Sequence, residues 1–351
     1  MVVFFQTGGI GDTILGTAVI KCLNRYYGEK IGVLCLNPLV AQALIGVNYI
    51  SFVKQVRPDQ CRTMEDLERV CPEAELIIFN KFRRDMDGQL NFFCPIGDKY
   101  IENSRSFRQK FIKSVNDDLH TKATRLEDIA PLKLIRHFNN EEDYFSDWRR
   151  YGLDVSYDEV GLDIYDYTIE RNAENLPSDY FIVHDTKLPT MSGRSVYPIK
   201  AWYANEWSKL CNMLHQDGRK IVQIVGADQP LFNHAIPHYD IIGHDAMFQD
   251  YLHLLSESKM YIGTDSWPAH AAIFIQKPEY LLLKGAVSRR WDHGGSYSNI
   301  IRVGKCQACE GPPTSAHKCI WEAGNHSCMT KITAEMVMSK IKEIVDENEN
   351  D

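Results

Sequence analysis

The acids, hydroxyls and glycines of this chain gather where apolar runs end. The run Val2-Val3-Phe4-Phe5 breaks into GGIGDTILGTAVIK, in which Gly9, Gly11 and Thr13 surround a single carboxylate, Asp12. A glycine turn that reopens as a helix aims backbone amides at whatever anion sits at the helix start. An aspartate placed there as the N-cap has two roles open to it: it can merely cap the helix, or it can take a proton from an attacking hydroxyl. Two phosphate fingerprints are excluded by spacing. Counted from Gly9 and Gly11, the third glycine of a dinucleotide motif is replaced by Ile14, and the second strand ends at Asn37 rather than at an acid. A P-loop needs lysine directly after its second glycine, but Gly16 is followed by Thr17.

The second half repeats this chemistry. In YIGTDSWPAHAAIF, Thr264, Asp265 and Ser266 follow a short apolar strand, and Pro268 suits the first turn of the helix that comes next. Hydroxyls, a carboxylate and amides at a helix start, with Trp267 among them, describe an anion site. His270 lies two residues beyond Pro268, as either a structural histidine or a ligand contact. In PIKAW, Lys200 precedes a helix and offers an ammonium to a diphosphate, or else is simply solvated. Asp228 follows the strand KIVQIVG, where a turn or a ligand contact would explain it.

Ten cysteines are present, and four cluster as C-x2-C-x9-C-x8-C at Cys306, Cys309, Cys319 and Cys328. Two sulfurs from a C-x2-C turn and two from a short loop make a tetrahedral thiolate set that zinc or iron accepts; reduced thiols and disulfides are the alternatives. His317 and His326 interleave as substitute ligands. The other six cysteines are scattered and read as small buried hydrophobes.

These residues need strands to carry them. The first 80 residues alternate strand VVFF, a helix from about Asp12 to Tyr27, strand IGVLCL, helical PLVAQALIG, strand ISFVKQV and strand LIIFN. Residues 83–157 read as helix, with FRQKFIKSV and EEDYFSDWRRYGL as the best pieces. The polar segment 166–178 reads as a linker. A second series follows: YFIVH, helix ANEWSKLCNMLHQDG, KIVQIVG, IIGH, helix MFQDYLHLLSES, MYIG, helix PAHAAIFIQ and EYLLL. Alternation of this kind makes βαβ units and parallel sheets, so two facing doubly wound domains are the economical α/β architecture. The expected divisions are 1–168, 178–330 with a Cys-rich loop at 306–328, and a helix at 331–347, apolar at Ile332, Met336, Ile341 and Val345, that packs back across the domains.

At 351 residues two cores are expected, and 44% hydrophobic with 25% charged residues is an ordinary globular balance. A net charge of -8 argues against nucleic acid as a partner and against a broad anionic lipid surface. The N-terminus lacks a basic signal-peptide region, and no apolar window reaches the roughly 18 to 20 residues of a membrane span. A cytoplasmic protein is expected, with peripheral attachment at the inner membrane left open.

Taken together, GGIGDTILGTAVIK, the Lys200 segment and GTDSWPAHAAIFIQKP resemble glycosyltransferase family 9, the bacterial heptosyltransferases, from residue 1 to about 340. The resemblance implies a GT-B fold with two Rossmann-like domains around an interdomain cleft. It implies that Asp12 is the catalytic base, that Gly9, Gly11 and Thr13 belong to its loop, and that Lys200 neutralises a donor diphosphate. Asp265, Ser266 and the amides near Trp267 look like the loop receiving that diphosphate, together with Thr264; His270 matches a histidine of the family, and Asp228 stands near its ribose or base contact. A branch that glycosylates autotransporter proteins is similar in holding iron on four cysteines, so structural iron or zinc is implied here. Two departures stand out: Trp267-Pro268 where a Gly-Leu pair is usual, and His184-Asp185-Thr186 where His-Pro-Gly is usual.

The expected activity is transfer of a sugar, heptose from ADP-heptose being favoured, to a glycan, a lipopolysaccharide core or a protein hydroxyl. The scheme inverts configuration and calls for no catalytic cofactor, and an oligomer is compatible with it. The alternative is a catalytically degenerate subunit of the same fold that binds nucleotide or glycan.

Overall fold

The computed structural model describes residues 1–84, 90–129, 144–161, 179–185, 201–225, 231–233, 239–242, 248–275, 279–283, 299–303 and 327–349. The chain divides into two compact units, Met1–Asp163 and Ile164–Asp351. The expected linker at 166–178 lies outside the described residues.

The first unit is built on a five-stranded sheet of order β3-β2-β1-β4-β5. Its strands are β1 (Val2–Gln6), β2 (Ile31–Cys35), β3 (Ile50–Gln55), β4 (Leu76–Arg84) and β5 (Leu90–Pro95). β1 pairs in parallel with β2 and β4 and is buried along its whole length, which is why it reads as an unbroken apolar run rather than as an alternating one. β4 and β5 pair antiparallel, so the sheet is mixed where a wholly parallel one was expected. The strand LNFFCP falls within 83–157, where the sequence pattern predicts helix. Its identity comes from pairing with β4, which no local pattern displays.

The helices are α1 (Ile10–Tyr27), α2 (Pro38–Leu44), α3 (Met64–Val70), α4 (Ile101–Leu119) and α5 (Ser146–Arg150). Local chemistry sets their starts. Asn37 accepts the Leu39 N–H at 2.8 Å, and Thr63 and Asp66 exchange side-chain-to-backbone bonds at 3.1 and 3.0 Å. One core joins Val3, Phe5, Ile77, Phe79 and Cys94 to Leu67 of α3. An aromatic cluster joins β5 to α4 and α5: Phe93 stacks on Phe107 at 4.5 Å, Phe111 stacks on Tyr151 at 4.7 Å, and Phe92 stacks on Trp148 at 5.2 Å.

The second unit carries a six-stranded sheet of order β11-β10-β9-β6-β7-β8, parallel throughout. Its strands are β6 (Tyr180–His184), β7 (Lys220–Val225), β8 (Tyr239–Ile242), β9 (Met260–Thr264), β10 (Glu279–Leu283) and β11 (Ile300–Ile301). The helices are α6 (Ala204–Gln216), α7 (Phe248–Glu257), α8 (Trp267–Ile275), α9 (Ser327–Thr330) and α10 (Ala334–Glu349). α6 buries Trp207, Leu210, Cys211 and Leu214, the i, i+3, i+4, i+7 stripe of a core-facing helix. Each such side chain contributes about 1.5 to 3 kcal/mol by leaving water.

α10 packs on α6 within the same unit. Ala334, Val337, Met338, Ile341 and Ile344 enter the core that holds Trp207 and Leu210, and the Ala334 N–H donates to Glu206 at 2.9 Å. The expected apolar face is thereby corrected: Met336 is 42% exposed, because the stripe runs through 334, 337, 338, 341 and 344. The six scattered cysteines are all buried free thiols, and burial pushes that of Cys211 up to about 12. No helix among the described residues is long and apolar enough to cross a membrane.

Candidate functional site

Two groups of candidate residues are described, one in each unit. In the first unit α1 starts two residues earlier than expected, so Gly9 is the N-cap and Asp12 occupies the third helical position. Asp12 still serves the helix start, for its Oδ2 accepts the Gly9 N–H at 3.1 Å. Thr13 is buried and donates its hydroxyl to the Gly9 carbonyl at 2.9 Å. Gly8 makes the backward reach of Asp12 possible, since a Cβ at Gly8 would lie 2.6 Å from Asp12 Cβ. Gly11 falls in the first turn of α1, on the side of the helix start. A carboxylate is therefore presented, partly exposed, at the carboxyl end of the central strand. Beside it the Thr7 N–H and hydroxyl both donate to Asn80 Oδ1, at 3.1 and 2.6 Å, tying the residue after β1 to the middle of β4.

In the second unit β9 runs into α8 through Asp265 and Ser266, so the sequence motif becomes one strand-to-helix turn. The first amides of a helix lack intrahelical acceptors and carry the positive end of its dipole. Asp265 and His270 are both about 5% exposed, with Oδ1 and Nε2 3.8 Å apart. Trp267 is held by aromatic neighbours on α7, Phe248 at 5.5 Å and Tyr251 edge-on at 5.2 Å. Thr264 is fully buried, and its hydroxyl donates to Asp185 at 2.9 Å.

His184 and Asp185, which depart from the His-Pro-Gly of the resembling family, both join this turn. Ser266 Oγ lies 3.1 Å from His184 Nδ1 and 3.1 Å from the Thr264 carbonyl. The Tyr261 hydroxyl stands 3.5 Å from both Ser266 Oγ and His184 Nδ1. Burial lowers the His184 imidazole to about 3 and raises the Tyr261 phenol, so both are neutral near pH 7. Gly263 leaves room for this cluster: a Cβ there would meet the His184 carbonyl at 2.9 Å and press on the Tyr261 hydroxyl. The available signal was their place, at the carboxyl end of a buried strand, where ligands of doubly wound sheets gather.

Lys200, Asp228, Cys306, Cys309 and Cys319 lie outside the described residues, as do His317 and His326. Of the four clustered cysteines Cys328 is described; it is a buried thiol in the core that also holds Met329 and Ile332. Among the described residues no group of three or more His, Cys, Asp or Glu is arranged to hold a metal ion.

Two doubly wound sheets, each with polar turns at the carboxyl ends of its strands, place the chain in the GT-B fold class. Over 99% of its length the chain is similar to the Escherichia coli ADP-heptose lipopolysaccharide heptosyltransferase II, with a TM-score of 0.55 and 13% identity, covering 100% of that chain. It is similar over 98% of its length to a family 9 glycosyl transferase from Veillonella parvula, with a TM-score of 0.59 and 14% identity, covering 97% of that chain. The iron-containing dodecameric glycosyltransferase TibC from enterotoxigenic E. coli is similar over 99% of this chain and 76% of its own, with a TM-score of 0.56 and 16% identity. At these identities the likeness is one of fold. No family model and no curated protein sequence matches the chain.

Proposed function

We propose that this protein is a glycosyltransferase of the family 9 type that moves a sugar, heptose from ADP-heptose being favoured, from a nucleotide diphosphosugar to a hydroxyl acceptor. The observation that carries this reading is the Thr264-Asp265-Ser266-Trp267 turn at the carboxyl end of β9, whose helix-start amides suit a diphosphate, in a chain whose fold follows heptosyltransferases along almost its whole length.

In this scheme Asp12 takes the acceptor hydroxyl proton as the oxygen attacks the anomeric carbon and the bond to the diphosphate breaks. The negative charge growing on the departing nucleoside diphosphate is met by Lys200 and by the dipole and first amides of α8. A single displacement inverts the anomeric configuration, and the scheme routes no step through a metal. Asp228 is assigned to the nucleoside side of the donor, and Gly9, Gly11 and Thr13 to shaping the turn that presents Asp12. Acceptors in keeping with this reading are a glycan, a lipopolysaccharide core sugar or a protein hydroxyl.

The four-cysteine segment is assigned a structural metal, iron or zinc. Its donor set fits a closed tetrahedral site that leaves no position for substrate, and TibC is described as iron-containing. The metal takes no part in the transfer.

A thermal-shift panel of nucleotide sugars, followed by turnover of the best binder, tests the function. ADP-heptose is expected to raise the melting temperature by mass action and to be slowly hydrolysed even without acceptor. Binding without hydrolysis or transfer would instead mark a degenerate binding subunit. If no nucleotide sugar shifts the melting temperature, the donor assignment fails.

A further inference from the structure

Resting on the nucleotide-sugar reading above, the geometry points to Asp185 as a positioning residue for the donor site, clamping the turn between β9 and α8 to the segment that enters α6. Asp185 follows β6 directly, and the register between β6 and β9 pairs His184 with Gly263, which brings Asp185 level with Thr264. Its Oδ1 accepts the Thr264 hydroxyl at 2.9 Å. The backbone N–H of Trp202 is shared between the two carboxylate oxygens, 3.3 Å from Oδ1 and 3.2 Å from Oδ2. One carboxylate thus holds two chain segments at once, through a hydroxyl and a backbone amide.

Both partners are anchored on their far sides. The Trp202 indole donates to the Ile332 carbonyl at 2.9 Å and meets Trp207 edge-on at 4.9 Å, so its side chain is fixed in the core while its amide is fixed by Asp185. Thr264 is the last residue of β9, and its carbonyl lies 3.1 Å from Ser266 Oγ. Asp185, Thr264 and Ser266 therefore form a relay from the end of β6 to the start of α8.

The one hydroxyl proton of Thr264 is directed at Asp185, so Thr264 shapes the site and does not donate to a phosphate oxygen. The Ser266 hydroxyl is likewise directed at the Thr264 carbonyl, so the donor diphosphate is left to the α8 amides and Lys200. The Asp185 charge is engaged by an O–H and an N–H, which limits its repulsion of a diphosphate bound at this turn. Proline, which the resembling family usually has after the histidine, could not make this clamp.

The test is ADP affinity by calorimetry, well below the melting temperature, for the wild type, Asp185→Ala, Asp185→Asn, Thr264→Val and the double variant Asp185→Ala/Thr264→Val. Asp185→Ala is expected to weaken ADP binding about tenfold, the scale of one or two lost hydrogen bonds. Asp185→Asn keeps Oδ1, the oxygen facing both donors, and is expected to restore most of the affinity. Thr264→Val should weaken binding less, and the double variant should be no worse than Asp185→Ala, because the two act as one unit. A merely structural role would lower the melting temperature while leaving the affinity of the folded protein unchanged, and that result overturns the assignment, as does strict additivity. A wild type that binds no ADP overturns the donor reading itself; a wild type that binds, with Asp185→Ala binding equally well, overturns only this inference.

Discussion

The carboxylate of Asp12 accepts the backbone N–H of Gly9 at 3.1 Å, so the group proposed to take a proton from the acceptor also fastens the turn that carries it. The two duties separate by substitution. Asp12→Asn retains an acceptor for the Gly9 amide but has no basic oxygen. It is expected to fold and bind nucleotide nearly as the wild type does, with turnover reduced about 10²-fold or more. Asp12→Ala should also lose up to about 1 kcal/mol of stability with the bond to the Gly9 amide. Product formation and chemical unfolding of the two variants check this, and near-normal turnover of Asp12→Asn would remove Asp12 from the base role.

His184 sets a pH dependence. Burial holds its folded-state pKa at about 3, below the ordinary value of 6.5, so the unfolded chain binds the extra proton throughout that window. Stability is therefore expected to rise with pH between those values, by up to about 1.4 kcal/mol per pH unit for this one group, and to be undiminished above the upper value. Denaturant titrations at several pH values should show a shallower slope in His184→Gln. Equal slopes in the two proteins would refute the buried neutral state.

Gly263 is expected to tolerate no side chain. In Gly263→Ala the added methyl meets the His184 carbonyl at 2.9 Å and crowds the Tyr261 hydroxyl. A loss of about 1 to 3 kcal/mol is expected, the usual scale of overpacking. Adding Tyr261→Phe should recover part of that loss, because it removes the nearer obstacle. A melting temperature unchanged in Gly263→Ala would mean that the end of β9 is less tightly packed than the structure has it.

The four-cysteine segment gives a direct chemical test. Elemental analysis of purified protein is expected to find about one iron or zinc per chain. Removal by a chelator, or Cys309→Ser, should lower the melting temperature while ADP binding persists. Metal-free protein whose melting temperature ignores chelators would return these cysteines to the role of plain thiols.

Much of the fold was legible because it is local. The buried run of β1, the glycine turn after it and the return to helical spacing at α1 are properties of consecutive residues, and so is the passage from β9 through Asp265 and Ser266 into α8. α1 starts two residues before the sequence pattern places it, since an N-cap glycine has no side chain to announce it and Asp12 sits at the third helical position instead. The strand β5 was passed over because its antiparallel pairing to β4 is a property of two segments at once. The exposed face of α10 was misjudged for a similar reason, since what α6 offers as a partner decides which apolar residues are buried.

Backbone propensity and apolar spacing act over a few residues, so most passages from strand through turn to helix, and the acids and hydroxyls those turns hold, can be read from the order of amino acids alone. Folding alone brings Asp185 against Thr264 and Trp202, and His184 against Ser266. Those partners are separated by 17 to 82 residues and meet only because β6 pairs with β9, with Trp202 pinned to the same core. Hydrogen-bond partners at such separations follow from the order of strands in a sheet, which no stretch of sequence contains.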